Sequence, residues 1–248
     1  MALVSIITPV YNSAAFIKQT YESISAQTVT DWEWLVVDDC STDDSVKIIK
    51  SIADDRIKLI VLNHNSGASE ARNQGLKQVE GRYITFIDSD DLWKEDFLEK
   101  SINYLQQHNE ALVYSNYERV NDELVKILPD FEAVDYVDFK RLLYNCPIPM
   151  LTALYDKEKV GLVKIPDVPL REDHAMWLDI MRRIPHARAL NEALGIYRIR
   201  DNSVSRNKIK IAFKQFDVYY RYLNLNVFSS VFYTICWAFN GLKKYGKL

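Results

Sequence analysis

Cysteine, glycine and proline are all scarce in this sequence of 248 residues, which has three cysteines, seven glycines and seven prolines. Cys40, Cys146 and Cys236 are odd in number and far apart, so they form neither a disulfide framework nor a C-x-x-C motif. Free cysteines favour a reducing cytosol. So few glycines and prolines leave no low-complexity linker. The N-terminus lacks the basic segment and long apolar run of a signal peptide, so we expect a cytoplasmic protein.

Both glycine-rich phosphate-binding motifs are also missing. The sequence contains neither G-x-x-x-x-G-K-[ST] nor G-x-G-x-x-G, the loops that bind phosphates through backbone N–H groups. If this chain binds a nucleotide, a metal and basic side chains must therefore hold the phosphates.

The net charge of −3 conceals an uneven distribution. Residues 198–248 contain ten basic and two acidic residues, a net charge of +8, whereas residues 1–197 carry −11. An acidic body with a basic tail indicates that the tail meets an anionic partner, with nucleic acid and a lipid surface as the usual candidates. The length corresponds to about one and a half domains, and a hydrophobic content of 48% with 26% charged residues excludes a disordered or fibrous chain.

Apolar strands and amphipathic helices alternate in the first half of the chain. This alternation predicts βαβ units in an α/β fold with a mainly parallel sheet. Ligands of such sheets bind beyond the carboxyl ends of the strands. The predicted strands lie at 3–8, 34–37, 57–62 and 83–87, and the helices at 13–27, 43–52 (with Ser41 or Thr42 as N-cap), 69–79 and 94–107.

The second half is less regular and is expected to cover one edge or mouth of the sheet. We divide the chain into two halves of one domain, 1–110 and 111–205, and a helical tail, 206–248. The predicted elements of the second half are strands at 111–120, 124–128, 150–155 and 193–199 and helices at 137–144, 173–183 and 208–223.

The tail contains 21 consecutive uncharged residues, 222–242, which is long enough to span a bilayer. Six polar residues interrupt it, which argues against a span. An interfacial amphipathic helix and a helix docked on the protein's own core both remain open, because periodicity does not separate them. The apolar residues expected on one helical face are Val227, Phe228, Val231, Phe232, Ile235, Phe239 and Leu242.

Carboxylates cluster where predicted strands end. Asp88, Asp90 and Asp91 follow the strand at 83–87, and Asp39 follows the strand at 34–37. Carboxylates that repel one another favour a divalent cation between them, and Mg²⁺ and Mn²⁺ prefer such oxygen ligands. A solvated acidic turn or a helix N-cap is the alternative. Tyr11 follows the first strand, and an aromatic face can stack on a base, so these strand ends have the parts of a nucleotide pocket.

Four ordered segments, together covering roughly residues 3–100, resemble family 2 glycosyltransferases of the GT-A fold. Asp88-Ser89-Asp90-Asp91 resembles the family's D-x-D metal motif. In the second half, Arg171-Glu172-Asp173 followed by Trp177 resembles its catalytic-base segment. Tyr197-Arg198-Ile199-Arg200, with Ser203 and Ser205, resembles a later segment of the bacterial members. Of the four segments within residues 3–100, the three besides the D-x-D motif are residues 5–12, 35–43 and 66–75.

The resemblance implies a role for each matching residue. Tyr11 would stack on the nucleobase and Asp39 would accept a hydrogen bond from it. Arg72 would contact the base or stabilise the nucleotide, Asp88 would hold the ribose, and Asp90 would ligate Mn²⁺ or Mg²⁺ at the diphosphate.

Five further residues are expected near the substrates. Thr8, Pro9 and Ser89 belong to the matching segments, and Trp177 is a candidate sugar platform. Arg200 stands where related bacterial sequences often carry histidine. A guanidinium cannot ligate a cation, but it could pair with a phosphate.

Asp173 would be the general base of an inverting, metal-dependent sugar transfer. The acceptor hydroxyl would attack the anomeric carbon from the face opposite the departing diphosphate while Asp173 removes its proton. The resemblance further implies a nucleoside-diphosphate sugar, with uracil as the expected base. Without the family context, the alternative is that Glu172 and Asp173 stabilise the N-terminus of a helix by interacting with its dipole.

The resemblance and the basic tail together suggest the acceptor. They indicate a glycan or an undecaprenyl-diphosphate-linked oligosaccharide of bacterial O-antigen or capsule synthesis, used by an enzyme peripheral on the inner face of the cytoplasmic membrane. Binding of nucleic acid is not expected, because apolar residues dominate the centre of the tail. A sugar-nucleotide nucleotidyltransferase and a noncatalytic nucleotide-sugar or lipid-binding protein are the alternatives.

Overall fold

One ten-stranded sheet runs through the α/β body of the chain, which is known here from a computed structural model that describes residues 2–200 and 208–245. The first three strands are each followed by a helix, as the alternation predicts, and a two-residue strand separates the fourth from its helix. The strands are β1 (Val4–Val10), β2 (Trp32–Asp38), β3 (Ile57–Val61), β4 (Tyr83–Phe86), β5 (Leu92–Trp93), β6 (Leu112–Val120), β7 (Lys126–Phe131), β8 (Tyr136–Val137), β9 (Leu154–Asp156) and β10 (Ala187–Arg198).

Helices cover both faces of this sheet and form the C-terminal segment. Their bounds agree with the predicted ranges to within a few residues for the longer elements. The helices are α1 (Ile17–Ser25), α2 (Ser45–Ser51), α3 (Ala68–Leu76), α4 (Phe97–Gln107), α5 (Phe139–Leu142), α6 (Lys157–Val160), α7 (Glu172–Met181), α8 (Lys208–Asp217) and α9 (Val227–Tyr245).

The sheet order is β3-β2-β1-β4-β9-β6-β10-β5, with β7 on β6 and β8 on β10. The first four strands are parallel, which brings the carboxyl ends of β1, β2 and β4 to one edge. Strand β9 lies antiparallel between β4 and β6 and joins the two halves of the chain into one sheet. The second half therefore extends the parallel sheet with strands of both directions, so the sheet as a whole is mixed.

Strand β1 lies at the centre of the molecule, and all seven of its residues are buried. Ile7 belongs to one apolar cluster, on the side of α3 and α7, and Ile6 belongs to the other, on the side of α1 and α4. Successive side chains of a strand point to opposite faces, so a continuous apolar run is required where both faces of a sheet are covered.

Two predicted local features are wrong in detail. Helix α2 begins after Asp44, so neither Ser41 nor Thr42 is its N-cap. The predicted strand at 150–155 begins as a 3₁₀ turn, Met150–Thr152, in which the Thr152 hydroxyl donates to the Ser115 carbonyl at 2.8 Å. A Cβ on Gly195 would lie 2.5 Å from the Thr152 side chain, so this turn packs on β10 only because residue 195 is glycine.

The C-terminal helices pack on the body through one side. After α8 the chain forms a π-helical turn, Val218–Tyr222, whose Val218 and Tyr219 are fully buried in the larger apolar cluster. On α9, Ser230 is buried, and Asn240 donates to the Tyr144 carbonyl at 3.1 Å.

The opposite side of α9 is apolar and exposed. The residues predicted for one helical face share that side. One face of α9 therefore docks on the body, and the interfacial role of the exposed face stays a prediction. Leu242, expected on the same face, has its side chain outside the described set. The exposed residues are Val227, Phe228, Val231, Phe232, Ile235 and Phe239.

Within residues 2–200 and 208–245, no helix is both long enough and apolar enough to cross a membrane.

Candidate active site

The end of β2 anchors the loop that precedes α3. The two carboxylate oxygens of Asp39 accept hydrogen bonds from the backbone N–H groups of Ser66 (2.7 Å) and Gly67 (2.8 Å). Gly67 has a φ of +86°, which favours glycine at this loop–helix junction. Asp39 therefore holds the loop before α3 in place. Each of its oxygens keeps a second lone pair, so the predicted bond to a base N–H stays a prediction.

Strand β1 delivers Tyr11 to the same edge, with 51% of its surface exposed. An exposed aromatic face at a strand end is free to stack on a planar ligand. Pro9 is buried in the strand. The Thr8 hydroxyl is fully buried and accepts from the indole N–H of Trp34 at 2.8 Å. The hydroxyl is used inside the core, so the expected contact of Thr8 with substrate stays a prediction that this burial does not favour.

Helix α3 and the loop after β4 meet in an ion pair between Arg72 and Asp88. Arg72 is almost wholly buried, and its Nε–H has no hydrogen-bond partner. The Asp88 side chain is about half exposed. A buried guanidinium that donates to an exposed carboxylate fixes that carboxylate in place and leaves its outer lone pairs to a ligand.

Asp90 lies two residues further along the loop, and Arg200 donates to its carboxylate at 3.4 Å. Burial raises the pKa of Asp90, and the charge of Asp88 raises it further, while Arg200 opposes both effects. Two carboxylates that disfavour each other's ionised forms are suited to a cation between them.

The donor set of this loop fits a hard divalent cation that also binds substrate. Among the residues that the structure describes, no group of three or more His, Cys, Asp or Glu side chains could hold a metal alone. Mg²⁺ is commonly bound by one or two carboxylates together with substrate phosphates. Asp88 and Asp90 match that pattern, since phosphate oxygens would complete the coordination.

A buried network of hydrogen bonds holds the loop after β4, which carries Asp88 and Asp90. Asp91 is fully buried and accepts from the backbone N–H of Arg198 at 2.9 Å. The Arg198 side chain donates to the Asp90 carbonyl at 2.8 Å and to Gln19 at 2.7 Å. The Ser89 hydroxyl bonds to Ser13 at 2.6 Å, so Ser89 contributes to this network. The only advance signal was the resemblance of residues 197–200 to a family segment.

Asp173 lies in the first turn of α7, where its carboxylate accepts from the His174 N–H at 2.7 Å. The neighbouring Glu172 is largely buried, and its Oε2 has no hydrogen-bond partner. Burial raises the pKa of Glu172, with smaller contributions from the charges of Asp173 and Asp88, and Arg72 lowers it. The charges of Arg72 and Asp88 act on Glu172, so this residue lies within electrostatic reach of the Arg72–Asp88 pair. The sequence indicates Glu172 only as part of the Arg171-Glu172-Asp173 segment.

Trp177 and His174 are interior residues. Trp177 is fully buried in the larger apolar cluster, because helix α7 turns that side chain towards the core. Its role as a sugar platform stays a prediction that this burial does not favour. His174 is also fully buried, and desolvation lowers its pKa to about 4. His174 Nε2–H donates to the Leu142 carbonyl at 2.8 Å, which leaves Nδ1 as an acceptor.

The predicted site residues thus divide into two groups. Tyr11, Asp39, Asp88 and Asp90 lie at the carboxyl edge of the parallel strands, with Arg72 beneath Asp88 and Glu172, the chain neighbour of Asp173, within electrostatic reach of both. Thr8, Pro9, Ser89 and Trp177 are buried in the scaffold. Arg200 closes one side of Asp90. Ser203 and Ser205 lie outside the described residues.

Comparison with known proteins agrees with this arrangement. Residues 5–154 match the family model described as "Glycosyl transferase family 2". TuaG of Bacillus subtilis, named as a glycosyltransferase of teichuronic acid biosynthesis, is 35% identical over 98% of this chain and 97% of its own length. WfgD of Escherichia coli is 35% identical over 98% of this chain and 95% of its own. WfgD is named a UDP-Glc:α-D-GlcNAc-diphosphoundecaprenol β-1,3-glucosyltransferase.

A solved structure shows the same fold at lower identity. Staphylococcus aureus TarS (residues 1–349), in complex with UDP-GlcNAc, superposes with a TM-score of 0.74 and 23% identity. The match covers 92% of this chain and 68% of that one. The mixed sheet flanked by helices is therefore the GT-A fold expected from the sequence.

Proposed function

The chain belongs to glycosyl transferase family 2, and on that premise we propose that it transfers a hexose, with inversion, from a UDP-sugar to a hydroxyl of a lipid-linked glycan. One observation carries the proposal. Glu172, the chain neighbour of Asp173, lies close enough to Arg72 and Asp88 for their charges to act on its carboxyl group. Carboxylates that can hold a metal-bound diphosphate and a group that can accept a proton therefore occur in the same part of the molecule. A glycosyl transfer needs these two functions next to each other.

The nucleotide would occupy the edge formed by β1, β2 and β4. Tyr11 would stack on the base, because its ring is exposed there. Asp39 would accept from a base N–H through a lone pair that the loop does not use. Asp88, held by Arg72, would accept from the ribose hydroxyls.

Asp90, with Asp88, would hold Mn²⁺ or Mg²⁺. The ion would neutralise the negative charge that develops on the departing diphosphate. Arg200 already contacts Asp90 and is placed to pair with a phosphate oxygen when a nucleotide is present.

Asp173 would take the proton of the acceptor hydroxyl. An aspartate is a weak base, with an unperturbed pKa of about 3.9, but the hydroxyl becomes far more acidic as its bond to the anomeric carbon forms. Attack opposite the leaving group inverts the anomeric centre, so an α-linked donor gives a β-linked product. WfgD is named a β-1,3-glucosyltransferase that uses UDP-Glc, which is compatible with that outcome.

The acceptor would be linked through a diphosphate to a polyprenol, as the name of WfgD states for that relative. Such an acceptor is confined to the membrane surface, and the enzyme must work there. The exposed apolar face of α9 suits this location. Arg221 before the helix, and Lys243 and Lys244 at its end, supply the basic charge that favours an anionic leaflet.

Binding to membranes is expected to depend on the outer face of α9. Phe228 and Phe239 are 88% and 65% exposed and eleven residues apart, which places them on the same side of a helix. The double variant Phe228→Ser/Phe239→Ser should co-sediment at least about 10-fold less with phosphatidylglycerol vesicles, because each buried phenylalanine contributes strongly to insertion.

The matched control changes exposed apolar residues elsewhere, Val125→Ser/Ile127→Ser on the β6–β7 hairpin. This variant should sediment as the wild type does, and neutral phosphatidylcholine vesicles should bind the wild type less. Equal sedimentation of the α9 variant and the wild type would show that this face does not bind lipid.

The activity itself is tested by release of nucleoside diphosphate from a panel of sugar nucleotides, with and without Mn²⁺ or Mg²⁺ and with a polyprenyl-diphosphate-linked N-acetylhexosamine acceptor. We expect release from a UDP-hexose that requires both the acceptor and a divalent ion. Acceptor-dependent release from a GDP- or dTDP-sugar instead would contradict the donor proposal, and no acceptor-dependent release from any donor would contradict the proposed function.

A further inference from the structure

The inner face of α9 contacts the chain just before the Glu172-Asp173 pair. The guanidinium of Arg171, the residue that precedes α7, lies over the ring of Trp237 on α9 at 5.1 Å. Its Nε–H is buried and has no hydrogen-bond partner. The aromatic face of Trp237 is thus a contact that α9 makes with this cation, and cation–π contacts of this kind gain strength where water is excluded.

Helix α8 contacts the residue on the other side of the pair. Gln215, which is fully buried, donates to Nδ1 of His174 at 3.0 Å. His174 is held neutral by burial, so its Nδ1 can accept this bond and also a long contact of 3.4 Å from Arg171. The C-terminal helices therefore contact both residues that flank Glu172 and Asp173, namely Arg171 and His174.

This position needs external support for a physical reason. The first turn of a helix has N–H groups without intrahelical partners, and helix ends fray. Asp173 uses one of its own oxygens to accept from the His174 N–H, so the backbone around it is stabilised only partly by α7 itself. A displacement of about 1 Å in a catalytic group can cost about 10²-fold in rate.

We propose that Trp237 and Gln215 are positioning residues, which hold the segment that carries Asp173 in its catalytic place. The proposal rests on the proposed role of Asp173 as the base. It makes the C-terminal helices part of the active site rather than a separate tail. Helix α9 then has two separable functions: its outer face meets lipid and its inner face holds the base.

The experiment compares kcat and the donor KM of Trp237→Ala, Trp237→Phe and Gln215→Ala, using the proposed acceptor dispersed in detergent. Trp237→Ala should lower kcat about 10-fold and change the donor KM less than about 2-fold, because the nucleotide is bound by other elements. Trp237→Phe should recover most of kcat, since a phenyl ring keeps an aromatic face towards Arg171. Gln215→Ala should lower kcat in the same way.

The matched control is Ile127→Ala, an exposed apolar residue of the β6–β7 hairpin that belongs neither to α7 nor to the lipid-facing side of α9. It should leave kcat in detergent unchanged. Unchanged kcat in both Trp237→Ala and Gln215→Ala would overturn the proposal, as would a fall that Trp237→Phe does not recover. If Trp237→Ala does not fold, Gln215→Ala decides.

Asp173→Asn in the same assay separates the two levels of inference. If Asp173→Asn keeps full activity, the base assignment fails and the positioning proposal fails with it. If Asp173→Asn is inactive while Trp237→Ala and Gln215→Ala are normal, only the positioning proposal fails.

Discussion

Replacing Asp173 by asparagine is expected to lower kcat by about 10²- to 10⁴-fold, the usual contribution of a general base. An amide has nearly the same shape as the carboxylate but cannot take the proton of the acceptor hydroxyl. The fold should persist, because the asparagine oxygen can still accept from the His174 N–H. The donor KM should change little, since the nucleotide edge is formed by β1, β2 and β4. Steady-state release of nucleoside diphosphate measures both parameters.

Two variants on the same helix test the assignment. Asp179→Asn replaces a carboxylate that bonds to Tyr222 and Arg182, and its kcat should stay within about twofold of the wild type, since Asp179 lies almost two turns from Asp173. Glu172→Gln probes the neighbouring carboxyl group. If Asp173→Asn retains kcat and Glu172→Gln loses it, the base is Glu172 and the assignment to Asp173 is wrong.

Replacing Asp90 by asparagine is expected to lower kcat by about 10²- to 10³-fold and to raise the Mn²⁺ concentration needed for half-maximal activity. The variant removes a charged ligand from a loop in which only Asp88 and Asp90 are placed to hold the ion. Its melting temperature should not fall, because burial and the charge of Asp88 already disfavour the ionised form of Asp90. Activity titrations with Mn²⁺ and thermal melts measure these effects.

Asp96→Asn is the control for the loss of one negative charge near this loop. Asp96 pairs with Lys100 at 2.7 Å at the start of α4 and has no contact with Asp88 or Asp90 in the structure. Its metal requirement and kcat should equal those of the wild type. An Asp90→Asn variant with unchanged kcat and an unchanged Mn²⁺ requirement would show that the metal proposal is wrong.

The parallel half of the fold was predictable because its signals are local. Each apolar run from β1 to β4 is followed by a helix, and only a right-handed crossover returns the chain to a parallel neighbour. The same rule places Tyr11, Asp39 and Asp88 at one edge of the sheet. The second half was less predictable, since β9 is three residues long and pairs with strands far away in sequence.

Burial separates the residues of the matching segments into exposed ones and interior ones. Thr8 and Trp177 belong to segments that resemble family motifs, yet both are fully buried. A motif records that a residue type occurs, and the pleat of a strand or the turn of a helix determines which way its side chain points. Arg198 gave no signal of its own, because its partners come from three separate parts of the chain.

The sequence by itself determined the α/β class, the family, the candidate carboxylates and the amphipathic character of the last helix, because these follow from local order and periodicity. Only the tertiary structure decided that Asp91 and Arg198 brace the loop after β4 and that Trp237 reaches Arg171. These contacts join residues separated by 66 or more positions in the chain. Packing sets such contacts, and no local pattern encodes them.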